Sequence, residues 1–102
     1  YIMLKHIVMW KFKEGANGKS AHEHALWMKE HLEALVGVVP QIRSLEVGVN
    51  EIPSDGSFDA VLTVCFDNEE DLKKYKVNPN HKVISEYCKE VRITRCAVDY
   101  YL

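Results

Sequence analysis

The sequence predicts an α+β fold of the ferredoxin-like kind, an antiparallel sheet with helices on one face, doubled into a dimeric α/β barrel. Three observations predict it. Strand-like and helix-like periods follow one another in the order β-α-β-β-α-β with the second helix broken, which is the split βαβ arrangement. The first and third strands carry apolar residues on both parities, so both faces of the sheet need covering, whereas helices in this order cover one. Nothing else in 102 residues is left to cover the second face, and a face-to-face second copy of the chain supplies that cover.

Residues 3–12, MLKHIVMWKF, form the first predicted strand, with His6, Val8, Trp10 and Phe12 on one face and Ile7 and Met9 on the other. EGANGK, residues 14–19, is a turn-forming loop by its two glycines and asparagine. Ser20 followed by Glu23 is a capping box that opens the first helix, and Ala21, Ala25, Met28, Leu32, Leu35 or Val36, and Val39 then recur at helical spacing until Gly37 and Pro40 end it. Residues 42–49 read as the second strand, with Leu45, Val47 and Val49 alternating and Ile42 out of step. A turn containing Pro53 and Asp55-Gly56 leads to the third, residues 58–66. Asn68 caps the next helix, whose first turn holds Glu69, Glu70 and Asp71 where the helix dipole favours negative charge. Asn78-Pro79 stops that helix, and residues 80–91 resume it for a turn or two with Val83, Ile84, Tyr87 and Cys88 inward. Residues 91–102 are the last strand.

The length suits one domain over residues 1–102, burying ~60 to 68% of its unfolded surface. Tyr1 and Ile2 precede Met3, the expected native start. Net charge is -2, with 13 basic residues spread among 15 acidic ones, so no basic stripe marks nucleic acid as a partner. No apolar run reaches the length of a membrane span and no export leader is visible, which makes the cytoplasm the expected compartment and removes a membrane as partner. Cys65, Cys88 and Cys96 lack paired spacing and are expected to be reduced core residues rather than a disulfide frame or zinc site.

Two constellations bear on chemistry. Tyr75 and His81 lie six residues apart around the Asn78-Pro79 break. A histidine is a base near neutral pH and a tyrosine hydroxyl can orient it or donate to an enolate, yet the same pair can be a packed corner. His6, inside a two-sided strand, needs a polar partner, and Asp99 on the last strand is the natural one, as a structural bridge or a catalytic orienter. Period two puts Arg95 and Ala97 on the side of Asp99. There Arg95 either binds a carboxylate or enolate or, the favoured expectation, pairs with a surface acid at a rim. His22, His24 and His31 on the first helix are too far apart to chelate a metal and are expected to be solvated or half-buried. No phosphate loop or nucleophile motif is present.

Lys5-His6-Ile7-Val8 with Trp10-Lys11-Phe12, the stretch YKVNPNH from Tyr75 to His81, and the closing Val98-Asp99-Tyr100 together resemble the stress-responsive dimeric A/B barrel (Dabb) family over nearly the whole chain. The resemblance implies two ferredoxin-like subunits pressed sheet to sheet, each with a cavity between sheet and helices, and it implies fold and dimer more firmly than activity. In plant polyketide cyclases of the olivetolic acid kind, which belong to the family, an aldol condensation proceeds without metal or organic cofactor. The resemblance carries their catalytic tyrosine and histidine onto Tyr75 and His81, and their cavity histidine and aspartate onto His6 and Asp99. Asn78 stands where many members have the first histidine of a His-Pro-x-His break, so a role or metal site needing that histidine does not carry over.

The expected protein is therefore a stress-related homodimer that binds a small, mostly apolar, phenolic or ketide-like molecule against His6, Val8, Trp10, Arg95 and Asp99, with no cofactor. The second reading is a cofactor-free cyclase, isomerase or lyase with His81 as base and Tyr75 as its orienting donor. Cofactor-independent monooxygenation, known elsewhere among dimeric α/β barrels, is a third.

Overall fold

The computed structural model describes residues 2–102, and Tyr1, expected with Ile2 to precede the native start, lies outside the described residues. Strand β1 (Leu4–Phe12), helix α1 (Ala21–Glu33), strands β2 (Ser44–Val49) and β3 (Ala60–Phe66), helices α2 (Glu69–Val77) and α3 (Pro79–Val91), and strand β4 (Arg92–Tyr101) follow in that order. The strands form one sheet in the order β2-β3-β1-β4, with every neighbouring pair antiparallel. This is the predicted ferredoxin-like α+β fold, with three helices in place of one intact and one broken helix.

Local chemistry sets the helix limits. The Ser20 side chain accepts the Glu23 N–H while the Glu23 carboxylate accepts the Ser20 N–H, which completes the capping box. Helix α1 ends at Glu33, earlier than the apolar spacing suggests, because the chain tightens into turns and reverses through Gly37 at φ 86°. Leu35 and Val39 remain buried, but they reach the core from these turns. Asn78 serves two helices at once: its N–H donates to the Tyr75 carbonyl at the end of α2, and its side-chain oxygen accepts the Asn80 N–H at the start of α3. Pro79 takes the first position of α3, where a missing N–H costs nothing. Helix α3 then runs for 13 residues rather than a turn or two. Its buried stripe is Ile84, Cys88 and Val91 with Tyr87 half-buried, while Val83, expected inward, is 68% exposed because it lies one position off that stripe.

The helices cover the sheet face that carries Leu4, His6, Val8, Trp10 and Phe12 of β1 and Ala60, Leu62, Val64 and Phe66 of β3, and the core sits between them. Register places Ile7 beside Thr63 and Val98, and Met9 beside Val61 and Cys96, on the opposite face. There Met9, Val98 and Tyr100 are exposed. Cys65 and Cys88 are buried as expected, whereas Cys96 is exposed because its position on β4 points away from the helices. Among the described residues no helix is long and apolar enough to cross a membrane.

The expectation of a solvated or half-buried first-helix histidine fails at His24. Its side chain is 0% exposed, with Nδ1 bonded to the Tyr87 hydroxyl at 2.7 Å and Nε2 to the Ala16 carbonyl at 2.9 Å. The carbonyl can only accept, so Nε2 carries the proton and the tyrosine donates to Nδ1. His22 pairs with Glu51, and His31 bonds to the Trp27 carbonyl while stacking on the Trp27 ring.

Candidate active site

A cavity of about 350 Å³ opens between the sheet and helices α1, α2 and α3. Val8 and Trp10 form part of its sheet wall, Met28 and Ile84 part of its helical wall, and His6, Tyr75 and His81 bring polar groups into it. That volume lies at the small end for pockets that enclose small molecules.

Tyr75 is held in place by the final turns of α2. Its side chain is 1% exposed, its ring packs 5.1 Å from Phe66 and 4.2 Å from His81, and its hydroxyl is buried with no hydrogen-bond partner among the described residues. Burial pushes its pKa upward, and the nearby Arg95 only partly offsets this, so the phenol stays neutral and can only be used as a donor or as a neutral acceptor.

His81 sits in the first turn of α3, half-buried, with Nδ1 bonded to the Lys76 carbonyl at 3.3 Å. That carbonyl fixes the proton on Nδ1 and leaves the Nε2 lone pair free. The orienting contact that one reading assigned to Tyr75 is thus made by the backbone of α2 instead, and the two rings meet tilted at 47° with no hydrogen bond between them. Burial lowers the His81 pKa, and the charges of His6, Arg95 and Lys76 lower it further, against the Lys76 hydrogen bond. The ring is therefore neutral at pH 7 and available as a base.

His6 lies directly across the ladder from Asp99, and its Nδ1 bonds to the Asp99 carboxylate. Burial lowers its pKa more than Asp99 raises it. This pair, expected from the sequence, leaves Nε2 as the free ring nitrogen of His6. Asp99 itself does not line the cavity, contrary to expectation. It lines a separate surface depression with Leu72 and Lys76.

Arg95 corrects the expectation in the other direction. It lines the cavity and makes no ion pair with an acid among the described residues. Lys76, Lys89 and Arg92 also line the cavity, and the sequence reading missed all three. For Arg92 the reason is a register shift: between Lys11 and Phe12 the pairing skips a residue, so Phe12 stands opposite Arg92 while Trp10 stands opposite Arg95. Strict alternation puts residues three apart on opposite faces, and the bulge brings both arginines to the helix face. On the other side of β1 the Asp59 carboxylate accepts the Phe12 N–H at 2.8 Å. Cys88 also lines the cavity, but burial pushes its thiol up to about 11, which removes thiolate chemistry at neutral pH. Among the described residues no three His, Cys, Asp or Glu side chains converge as a metal site.

A model of the stress responsive A/B barrel domain matches residues 4–102. No curated protein matches the sequence. Among solved structures, a dimeric ferredoxin-like protein of unknown function from Bacteroides fragilis is 33% identical, with 98% of this chain and 96% of that one covered at a TM-score of 0.82. A dimeric ferredoxin-like protein of unknown function from Thermobifida fusca is 17% identical over 99% and 92% of the two chains, also at 0.82. A hydroxynitrile lyase from Passiflora edulis is 12% identical over 98% and 93%, at 0.79. The last two show likeness of fold.

Proposed function

The chain belongs to the stress-responsive A/B barrel domain family, and on that premise we propose that it is a homodimer whose cavity binds a small molecule and moves a proton on it without a cofactor. The observation that carries this is the Tyr75 hydroxyl, buried at the cavity with no partner among the described residues. Leaving such a group unsatisfied costs about 1 to 3 kcal/mol, and a ligand oxygen in the cavity removes that cost. Tyr75 donates to a carbonyl or phenolic oxygen of the ligand, and His81 takes a proton from the adjacent carbon or hydroxyl through Nε2. His6, held by Asp99, is a second neutral ring that can accept or relay that proton.

A cyclase, isomerase or lyase step fits these roles, since each needs one base and one donor to an enolate oxygen. The lyase reading draws also on the fold shared with the Passiflora hydroxynitrile lyase, and on fold alone. Self-association draws on the dimeric Bacteroides fragilis relative and on the apolar outer sheet face.

The test is exchange of α-protons for deuterium in a panel of aryl ketones and β-diketones, followed by proton NMR. The protein is expected to accelerate exchange of some members, and His81→Ala to lower that rate by about 10² or more while leaving the dimer intact. Exchange equal to buffer across the panel, or undiminished in the variant, defeats the proton-transfer reading.

A further inference from the structure

The charges around the cavity point to one class of ligand. Lys76, Lys89, Arg92 and Arg95 line it, no Asp or Glu does, and none of the four cations makes an ion pair among the described residues. The cations occur with apolar walls from Val8, Trp10 and Ile84 and with the unpartnered, buried Tyr75 hydroxyl. We infer that the cavity selects a small carboxylic acid with an apolar body and a second oxygen, a hydroxyaryl or keto acid, whose carboxylate is taken by Arg95 with Arg92 and whose second oxygen meets Tyr75. This rests on the binding reading above and adds to it the identity of the ligand's charged group.

Two details decide between a carboxylate and a phosphate. A guanidinium fork fits either anion, but phosphate sites draw on free backbone N–H groups at a helix N-terminus. The N-terminus of α3, the helix that carries His81, is already closed, since Asn78 accepts the Asn80 N–H and Pro79 has no N–H. The deep end supplies complementary roles for the second oxygen. The Tyr75 hydroxyl offers a proton, and the free Nε2 atoms of His81 and His6 accept one. A hydroxyl or enolisable ketone satisfies both, whereas a plain fatty acid satisfies only the cationic end.

The experiment is calorimetric titration of the intact protein with 2-, 3- and 4-hydroxybenzoate and with the three matching hydroxybenzamides. At least one acid is expected to bind, with its amide about tenfold weaker or more, as the loss of a charge-assisted pair predicts. Arg95→Gln is expected to erase the preference for acid over amide. Arg95→Lys is expected to keep part of it, which separates a charge effect from misfolding. Tyr75→Phe should weaken acid and amide alike and leave the preference in place. Equal binding of acid and amide overturns the inference and leaves the cavity reading standing, and so does a preference that survives Arg95→Gln. Failure of all six probes at millimolar concentration overturns both.

Discussion

The Tyr75 and His81 rings meet at 4.2 Å, inclined at 47°, on either side of a helix break and share no hydrogen bond. One of the two readings of the pair made it a base and its orienting donor, the other a packed corner. The backbone carbonyl of Lys76 has taken the orienting role, which leaves the tyrosine hydroxyl unspent. A group kept buried and unspent makes the folded protein less stable than it could be, and that has a measurable consequence.

Tyr75→Phe removes the unpartnered hydroxyl and keeps the ring packed on Phe66. The variant is expected to be more stable by about 1 kcal/mol in urea unfolding at a matched protomer concentration. Any α-proton exchange activity should fall at the same time. A loss of stability on removing the hydroxyl would mean that it has a partner after all.

Stability should depend on pH through His6 and His81. Burial places both pKa values below the ordinary 6.5. As pH falls below 6.5 the unfolded chain takes up protons that the folded chain resists, so stability is fully present above 6.5 and is lost on the way down to the folded pKa values. The unfolding free energy should decline from pH 7 to pH 5, and His81→Gln should flatten that decline. A flat profile in the wild type would show that neither ring is held neutral by the fold.

Asp99 acts on His6 from outside the cavity. Burial lowers the His6 pKa while the Asp99 hydrogen bond and charge raise it. Asp99→Asn should therefore lower the His6 pKa further and release the proton fixed on Nδ1, giving mixed tautomers in nitrogen-15 NMR of the ring. An unchanged tautomer and pKa would assign the ring's orientation to packing alone.

The outer sheet face should hold the dimer. Val98 is 53% exposed beside Ile7 on that face. Val98→Asp puts a charge in the proposed interface and is expected to give a monomer in sedimentation equilibrium at micromolar concentration, with reduced stability. A dimer of undiminished affinity would move the interface elsewhere.

His24→Leu tests the buried pair with Tyr87. It strands the Ala16 carbonyl and the tyrosine hydroxyl, and is expected to cost about 2 kcal/mol in urea unfolding. Calorimetric binding at the cavity should change little, since His24 does not line it.

Much of the architecture was legible because it rests on local and periodic signals. The Ser20–Glu23 box, the Asn68 cap and the Asn78-Pro79 break each depend on residues within a few positions of one another. Alternation along residues 3–12 was enough to separate His6 and Trp10 from Ile7 and Met9. The match of His6 to Asp99 followed from the need of a buried imidazole for a polar partner.

What the chain order could not disclose depends on contacts between distant segments. Strict period two fails in β4, where Ile93 drops out of the pairing with β1 at the other end of the chain, and Arg92 joins Arg95 as a result. His24 looked like a surface residue on a helix until α3 supplied the Tyr87 hydroxyl. Packing of the helices on the sheet leaves Asp99 outside the cavity and Arg95 within it. Backbone propensity and hydrophobic period act over neighbours and are written in sequence, whereas the charge of a cavity depends on which side chains packing brings together.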